Sequence, residues 1–330
     1  MEQLPAFGTH VFQSVQPTFE LYATLLRPQL PSLLEPVEHV YGEHPRHKVD
    51  VYRDGRDEEQ LPVLIFVHGG GLNRGDKRMP NGLIQGAHQN VGSFFAKEGF
   101  LTLVPNYRLA GDHQGAATFP SGGEDVSLLL RWLSQQQTTL HFDPSRVFLL
   151  GNSAGAVHVA TFLYADALSS LSPPLAADQA RPLSAEEPAA LKVRAAVFLS
   201  MPAEFSAAVG PRTPTLQGYF GGGPEVIADR CPVGLRKRSK DQTEILIALA
   251  ELDPEDEILT PNQHLCDAMD SLPDPPKYDK LFIAGHNHIS VPLGLSVSEK
   301  EEKWGKDVAA WLLARSSTGD KQEEVVKRRM

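Results

Sequence analysis

Ser153 stands in Gly151-Asn152-Ser153-Ala154-Gly155, directly after the apolar run Val147 to Leu150. A serine among small residues, where a buried strand gives way to a helix, is placed for nucleophilic attack. The sharp turn leaves little room for Cβ atoms and lifts the hydroxyl above the strand end. The helix that follows points its N-terminus, with free N–H groups and partial positive charge, at the same spot. A hydroxyl is a weak nucleophile. It needs a base, an acid to orient that base, and donors for the charge that develops on an attacked carbonyl.

Each of these parts has candidates further along the chain. His68-Gly69-Gly70-Gly71 follows the run VLIFV, and consecutive glycines leave backbone N–H groups free to face a substrate oxygen. The run EILIALAEL ends at Asp253, followed by Pro254, Glu255, Asp256 and Glu257. Asp253 is taken as the acid because it comes first after the strand. Asp256 competes, but it lies beyond Pro254, where the next helical turn starts. The run KLFIA leads into Gly285-His286-Asn287-His288-Ile289-Ser290. His288 is taken as the base and His286 as a structural neighbour. Two histidines at i, i+2 are too few ligands for a metal, and none is spaced with the acidic cluster. The expectation is therefore two-step acyl transfer by Ser153, Asp253 and His288, with no metal and no organic cofactor.

These residues must be held at strand ends, and the surrounding pattern supplies strands. Val63–Val67, Leu101–Val104, Val147–Leu150, Val197–Leu199, Ile245–Leu249 and Leu281–Ala284 are short apolar runs bounded by Gly, Pro or polar residues. They alternate with amphipathic stretches at Asp125–Gln136, Ala154–Leu168 and Glu299–Arg315. Such alternation predicts an α/β domain, a mostly parallel sheet with helices on both faces. Lys48–Tyr52 alternates and is expected as an antiparallel edge strand. Residues 1–45 read as an N-terminal cap segment with a helix beginning just after Pro17. Residues 46–315 read as the main domain, with a cap insertion at about 202–242. Leu171–Pro188 reads as an irregular loop, and 316–330 as a charged tail.

Composition narrows the partners. The formal net charge of −10 argues against a general nucleic-acid binder or an anionic-membrane binder. Cys231 and Cys266 are the only cysteines and are expected as free buried thiols. With neither a signal-peptide pattern nor a long apolar run, the reading is a cytoplasmic protein without a membrane span. Homo-oligomer formation is left open.

Together the motifs resemble the α/β-hydrolase fold, and within it the carboxylesterases similar to hormone-sensitive lipase, which carry HGGG and GxSAG. Asn106-Tyr107-Arg108-Leu109-Ala110, Phe119-Pro120 and Glu124-Asp125-Val126 before Trp132 look like that family's YRLAP…FP…EDV…W stretch. Gly218-Tyr219-Phe220-Gly221 and Cys231-Pro232 look like its cap segment. The resemblance spans roughly residues 46 to 315. It implies that Gly70, Gly71 and Ala154 supply the oxyanion hole, and that His288, followed by Ile289 and Ser290, matches the base better than His286. Gly111, Ala156 and Asn152 depart from the family's usual residues without removing a reacting group.

What the resemblance implies is a small-molecule ester substrate of short or medium acyl chain, hydrolysed through an acyl-enzyme. Phe7, Phe12, Phe19, Tyr219 and Phe220 are candidate cap wall residues. The same triad would serve an arylformamidase similar to kynurenine formamidase, or a lactonase. The formamidase loop usually has an aromatic soon after HGG, where Gly71, Leu72 and Asn73 stand here. A non-enzymatic binding protein on a hydrolase scaffold is the remaining reading, and the intact set of reacting groups argues against it.

Overall fold

The structure is a computed structural model and describes residues 1–55, 60–79, 84–111, 117–165, 190–206 and 210–316. The loop 171–188 and the tail beyond residue 316 lie outside the described residues. Eight strands form one sheet in the order β1-β2-β4-β3-β5-β6-β7-β8. They are β1 Val37–Val40, β2 Lys48–Tyr52, β3 Leu61–Val67, β4 Leu101–Pro105, β5 Phe142–Asn152, β6 Val193–Leu199, β7 Glu244–Leu252 and β8 Tyr278–Asn287. The six strands from β4 across to β8 are parallel, while β1 and β2 are antiparallel to their neighbours.

Strands covered on both faces lose the alternating pattern and become continuous apolar runs. All seven residues of β3 are buried. Val63, Ile65 and Val67 pack on one side with Val126 and Val157, from the helices Ser121–Ser134 and Ala154–Tyr164. Leu64 and Phe66 pack on the other with Phe95 and Trp304, from the helices Gln89–Lys97 and Glu299–Ala314. The central strands are thus held between two dry layers. Their upper ends are the rigid edge on which a site can be built.

Two expectations change at the N-terminal end. Lys48–Tyr52 is antiparallel but not the edge, because β1 pairs outside it through Val37↔Val51 and Val40↔Lys48. Val37 and Val40 are 61% and 62% exposed, so β1 has no buried apolar face to imprint on its sequence and is held by backbone pairing, by ion pairs of Glu38 with Lys77 and Lys48, and by the His39–Trp132 ring contact. The first long helix is Val11–Leu26, starting well before Pro17, which lies inside it. The N–H missing at Pro17 would have bonded the Gln13 carbonyl; Gln13 is exposed, so water can take that place.

The insertion between β6 and β7 contains three short helices, Thr213–Phe220, Pro224–Arg230 and Pro232–Arg236. Cys231 and Cys266 are both free and buried. Among the described residues, no helix is long and apolar enough to cross a membrane.

Candidate active site

Strand register brings four residues together that are far apart in sequence. β5 and β6 pair through Asn152↔Leu199, so Ser153 and Ser200 leave the sheet side by side. β7 and β8 pair through Leu252↔Asn287, and Asp253 and His288 do the same. His288 Nε2 lies 2.9 Å from Ser153 Oγ, and its Nδ1 lies 2.9 Å from Asp253 Oδ1. With Nδ1–H donated to the carboxylate, Nε2 is left as the acceptor for the serine hydroxyl. Asp253 and His288 are only 2% and 6% exposed, which strengthens their interaction relative to water.

Asp253 Oδ2 accepts from Ser200 Oγ at 2.7 Å and from the Ala250 N–H at 2.8 Å. These donors hold the carboxylate plane while Oδ1 faces the imidazole. Ser200 was not visible as a site residue in the sequence, since a serine after AVFL carries no distinguishing signal. Its neighbour across the sheet, not its own context, gives it this place.

Ser153 adopts φ 51°, ψ −118°, a region that side chains rarely occupy. Its N–H donates to the Leu199 carbonyl at 2.8 Å, which helps hold the turn. The helix that follows presses on the sheet: a Cβ built on Gly155 would sit 2.0 Å from the Val67 carbonyl oxygen. Backbone in a central strand cannot yield that distance. Gly155→Ala is therefore expected to lower unfolding stability by about 1–3 kcal/mol, measured as a shift in the urea midpoint.

The HGGG loop lies against Ser153, and a Cβ on Gly69 would be 3.3 Å from Ser153 Cβ. The His68 ring anchors the loop from beneath, stacked 4.5 Å from Tyr107 and 5.6 Å from His88. His68 Nδ1 lies 2.8 Å from the Gly69 carbonyl and Nε2 lies 3.2 Å from Asn106 Oδ1. Tyr107 OH donates to the His68 carbonyl at 2.9 Å. Burial pushes the His68 imidazole well below its usual range, and the neighbouring His88 adds to this. The ring is a neutral spacer. Gly70 and Gly71 have φ of 138° and 61°, conformations open to glycine. Among the described residues, the N–H groups of Gly70, Gly71 and Ala154 donate to no protein acceptor.

His286 is buried apart from this relay, with Nδ1 3.0 Å from Ser290 Oγ and Nε2 3.1 Å from the Glu301 carbonyl. Asp256 is exposed in the turn Glu255–Leu259. Asn73 Nδ2 donates to Thr215 Oγ1 at 3.4 Å, and Arg212 pairs with Glu257. The helix Thr213–Phe220 thereby bridges the HGGG loop and the turn after Asp253. Tyr219 and Phe220 are buried in the main core, Phe7 and Phe19 are half-buried against the cluster around Tyr22 and Leu26, and Phe12 is 55% exposed.

A serine on a strand-to-helix turn, at the carboxyl edge of a parallel sheet flanked by helices, defines the α/β-hydrolase fold. The chain belongs to the BD-FAE family, whose sequence profile matches residues 49–216. Carboxylesterase NlhH of Mycobacterium tuberculosis is 34% identical over 108 residues, 32% of this chain and 30% of that protein. Neuroligin-2 of Mus musculus is 32% identical over 110 residues, 31% of this chain and 12% of its own length. The matched stretch thus spans less than a third of these relatives. Esterase B from Lactobacillus rhamnosis superposes with a TM-score of 0.67 at 17% identity, covering 95% of this chain and 99% of that one. That likeness is one of fold.

Proposed function

We propose that this chain is a serine carboxylesterase acting on small-molecule esters of short or medium acyl chain. The observation that carries this reading is the relay from Asp253 through His288 to Ser153, with both contacts at 2.9 Å. His288 Nε2 takes the proton from Ser153 Oγ as that oxygen attacks the ester carbonyl. Asp253 holds the imidazole tautomer and balances its positive charge. The N–H groups of Gly70, Gly71 and Ala154 receive the oxyanion, where one such donor is typically worth about 2.7–4 kcal/mol. His288 then protonates the departing alcohol, and water repeats the attack on the acyl-enzyme. Residues 1–45 and about 202–242 act as the cap over this edge, and the main domain spans 46–315. The relative named as a carboxylesterase, NlhH, favours the ester over the amide or lactone alternatives. The two free buried thiols fit residence in the cytoplasm.

A fluorophosphonate probe should attach once, on the peptide carrying Ser153. p-Nitrophenyl esters from acetate to palmitate should be turned over fastest in the short to medium range. N-formylkynurenine and a γ-lactone should be poorer substrates than the best ester. Failure to label, or a formamide turned over faster than every ester, would reject the reading.

A further inference from the structure

The helix Val11–Leu26 lies outside the sheet, yet three of the four residues on its buried stripe, Ser14, Thr18 and Tyr22, carry hydroxyls, and only the fourth, Leu26, is purely apolar. Buried hydroxyls are tolerated where they are bonded, so their partners are informative. Thr18 Oγ1, fully buried, accepts from Asn287 Nδ2 at 2.9 Å. Asn287 immediately precedes His288. Its Oδ1 accepts from the N–H groups of Ile289 at 3.1 Å and Ser290 at 2.9 Å. One amide side chain therefore closes the turn that carries the base, and Thr18 sets that amide's orientation from the outside.

Other contacts of the helix converge on the same turn. Tyr22 OH donates to Glu301 Oε2 at 2.5 Å, and the Glu301 carbonyl faces His286 Nε2 at 3.1 Å. Ser290 Oγ lies 3.0 Å from His286 Nδ1 and accepts from the Asn287 N–H at 3.0 Å. Leu252 and Ile289, the neighbours of Asp253 and His288, pack into the cluster built around Tyr22 and Leu26.

We propose that Thr18 is a positioning residue for the His288 imidazole, acting through the Asn287 side chain. The proposal rests on the esterase reading above. His288 must meet Ser153 and Asp253 together, and a misplacement of about 1 Å can cost on the order of 10²-fold in rate. Loss of the acceptor on Thr18 frees the Asn287 amide to rotate, and the turn loosens with it.

Thr18→Val keeps the side-chain shape and removes the acceptor. It is expected to lower kcat on p-nitrophenyl butyrate about tenfold, with KM within about twofold of the parent. Thr18→Ser restores the acceptor and should recover kcat, while Ser14→Ala, on the same stripe, should leave it unchanged. Should Thr18→Val not fold, Thr18→Ala serves in its place. In a double-mutant cycle, Asn287→Ala combined with the Thr18 variant should be no slower than Asn287→Ala alone. An undiminished kcat in the Thr18 variant, an equal loss in Ser14→Ala, or losses at Thr18 and Asn287 that multiply would each overturn the proposal. Absence of Ser153-dependent turnover in the parent protein would sink the esterase reading and this proposal with it. Ser153-dependent turnover with an intact Thr18→Val rate sinks this proposal alone.

Discussion

A Ser153→Ala protein is expected to hydrolyse p-nitrophenyl butyrate about 10⁶-fold more slowly in kcat than its parent, with the urea midpoint little changed. In the proposed mechanism the Ser153 hydroxyl oxygen bonds the acyl carbon, and alanine offers no substitute. Asp253→Asn is expected to lose about 10⁴-fold. Asp253 accepts from three donors, His288 Nδ1–H, Ser200 Oγ–H and Ala250 N–H. An asparagine placed there turns an NH₂ group toward one of them. Facing His288, it drives the imidazole proton to Nε2, and the base can no longer accept from Ser153. The two losses should not multiply, because the residues act as one unit. Steady-state kinetics on the single and double variants, beside circular dichroism, is the measurement. A Ser153→Ala enzyme retaining more than about a hundredth of the parent rate would refute the assignment.

The fold is expected to lose stability steeply below neutral pH. Four buried histidines are held neutral by desolvation. His68 is pushed well below its usual range, His88 and His286 are lowered, and His158 is lowered to about 4. His158 sits on the helix after Ser153, its ring 4.5 Å from Tyr107 and its Nδ1 3.3 Å from Tyr219 OH, and its Nε2 has no hydrogen-bond partner among the described residues. Asp125 pulls in the opposite direction, but burial outweighs it.

The unfolded chain titrates near pH 6.5, so between pH 6.5 and 4 it binds a proton at His158 that the folded protein refuses. The contribution is complete above pH 6.5 and is lost as pH falls through that window. By pH 4.5 the loss amounts to about 2–3 kcal/mol for His158 alone. Urea unfolding at pH 7 and pH 4.5 should show that drop, with His68, His88 and His286 adding to it. His158→Gln should reduce the drop by about the same amount. An identical pH dependence in the two proteins would contradict the assignment.

These expectations separate according to where their information resides. The candidate site residues were legible because the chemistry proposed for them imposes local constraints. A serine on a sharp turn needs Gly151, Ala154 and Gly155 around it, and an exposed N–H loop needs the glycines after His68. The parallel strands were legible because burial on both faces writes a plain apolar run. β1 was not legible, since an exposed edge strand held by backbone pairing and ion pairs selects no alternating apolar pattern. Pro17 misdirected the helix start because its missing N–H falls on a solvent-facing carbonyl, where water can satisfy it.

By itself, the sequence determined the fold class and pointed to Ser153, Asp253 and His288 as candidates for nucleophile, acid and base. Each candidate was read from the few residues on either side of it. Only the tertiary structure decided that Ser200 holds Asp253, that His286 belongs to Ser290 and Glu301, and that Thr18 reaches Asn287 across the N-terminal helix. Those partners are separated by up to 269 residues. Their pairing depends on strand register and on how a helix seats against the sheet edge, and neither leaves a local trace.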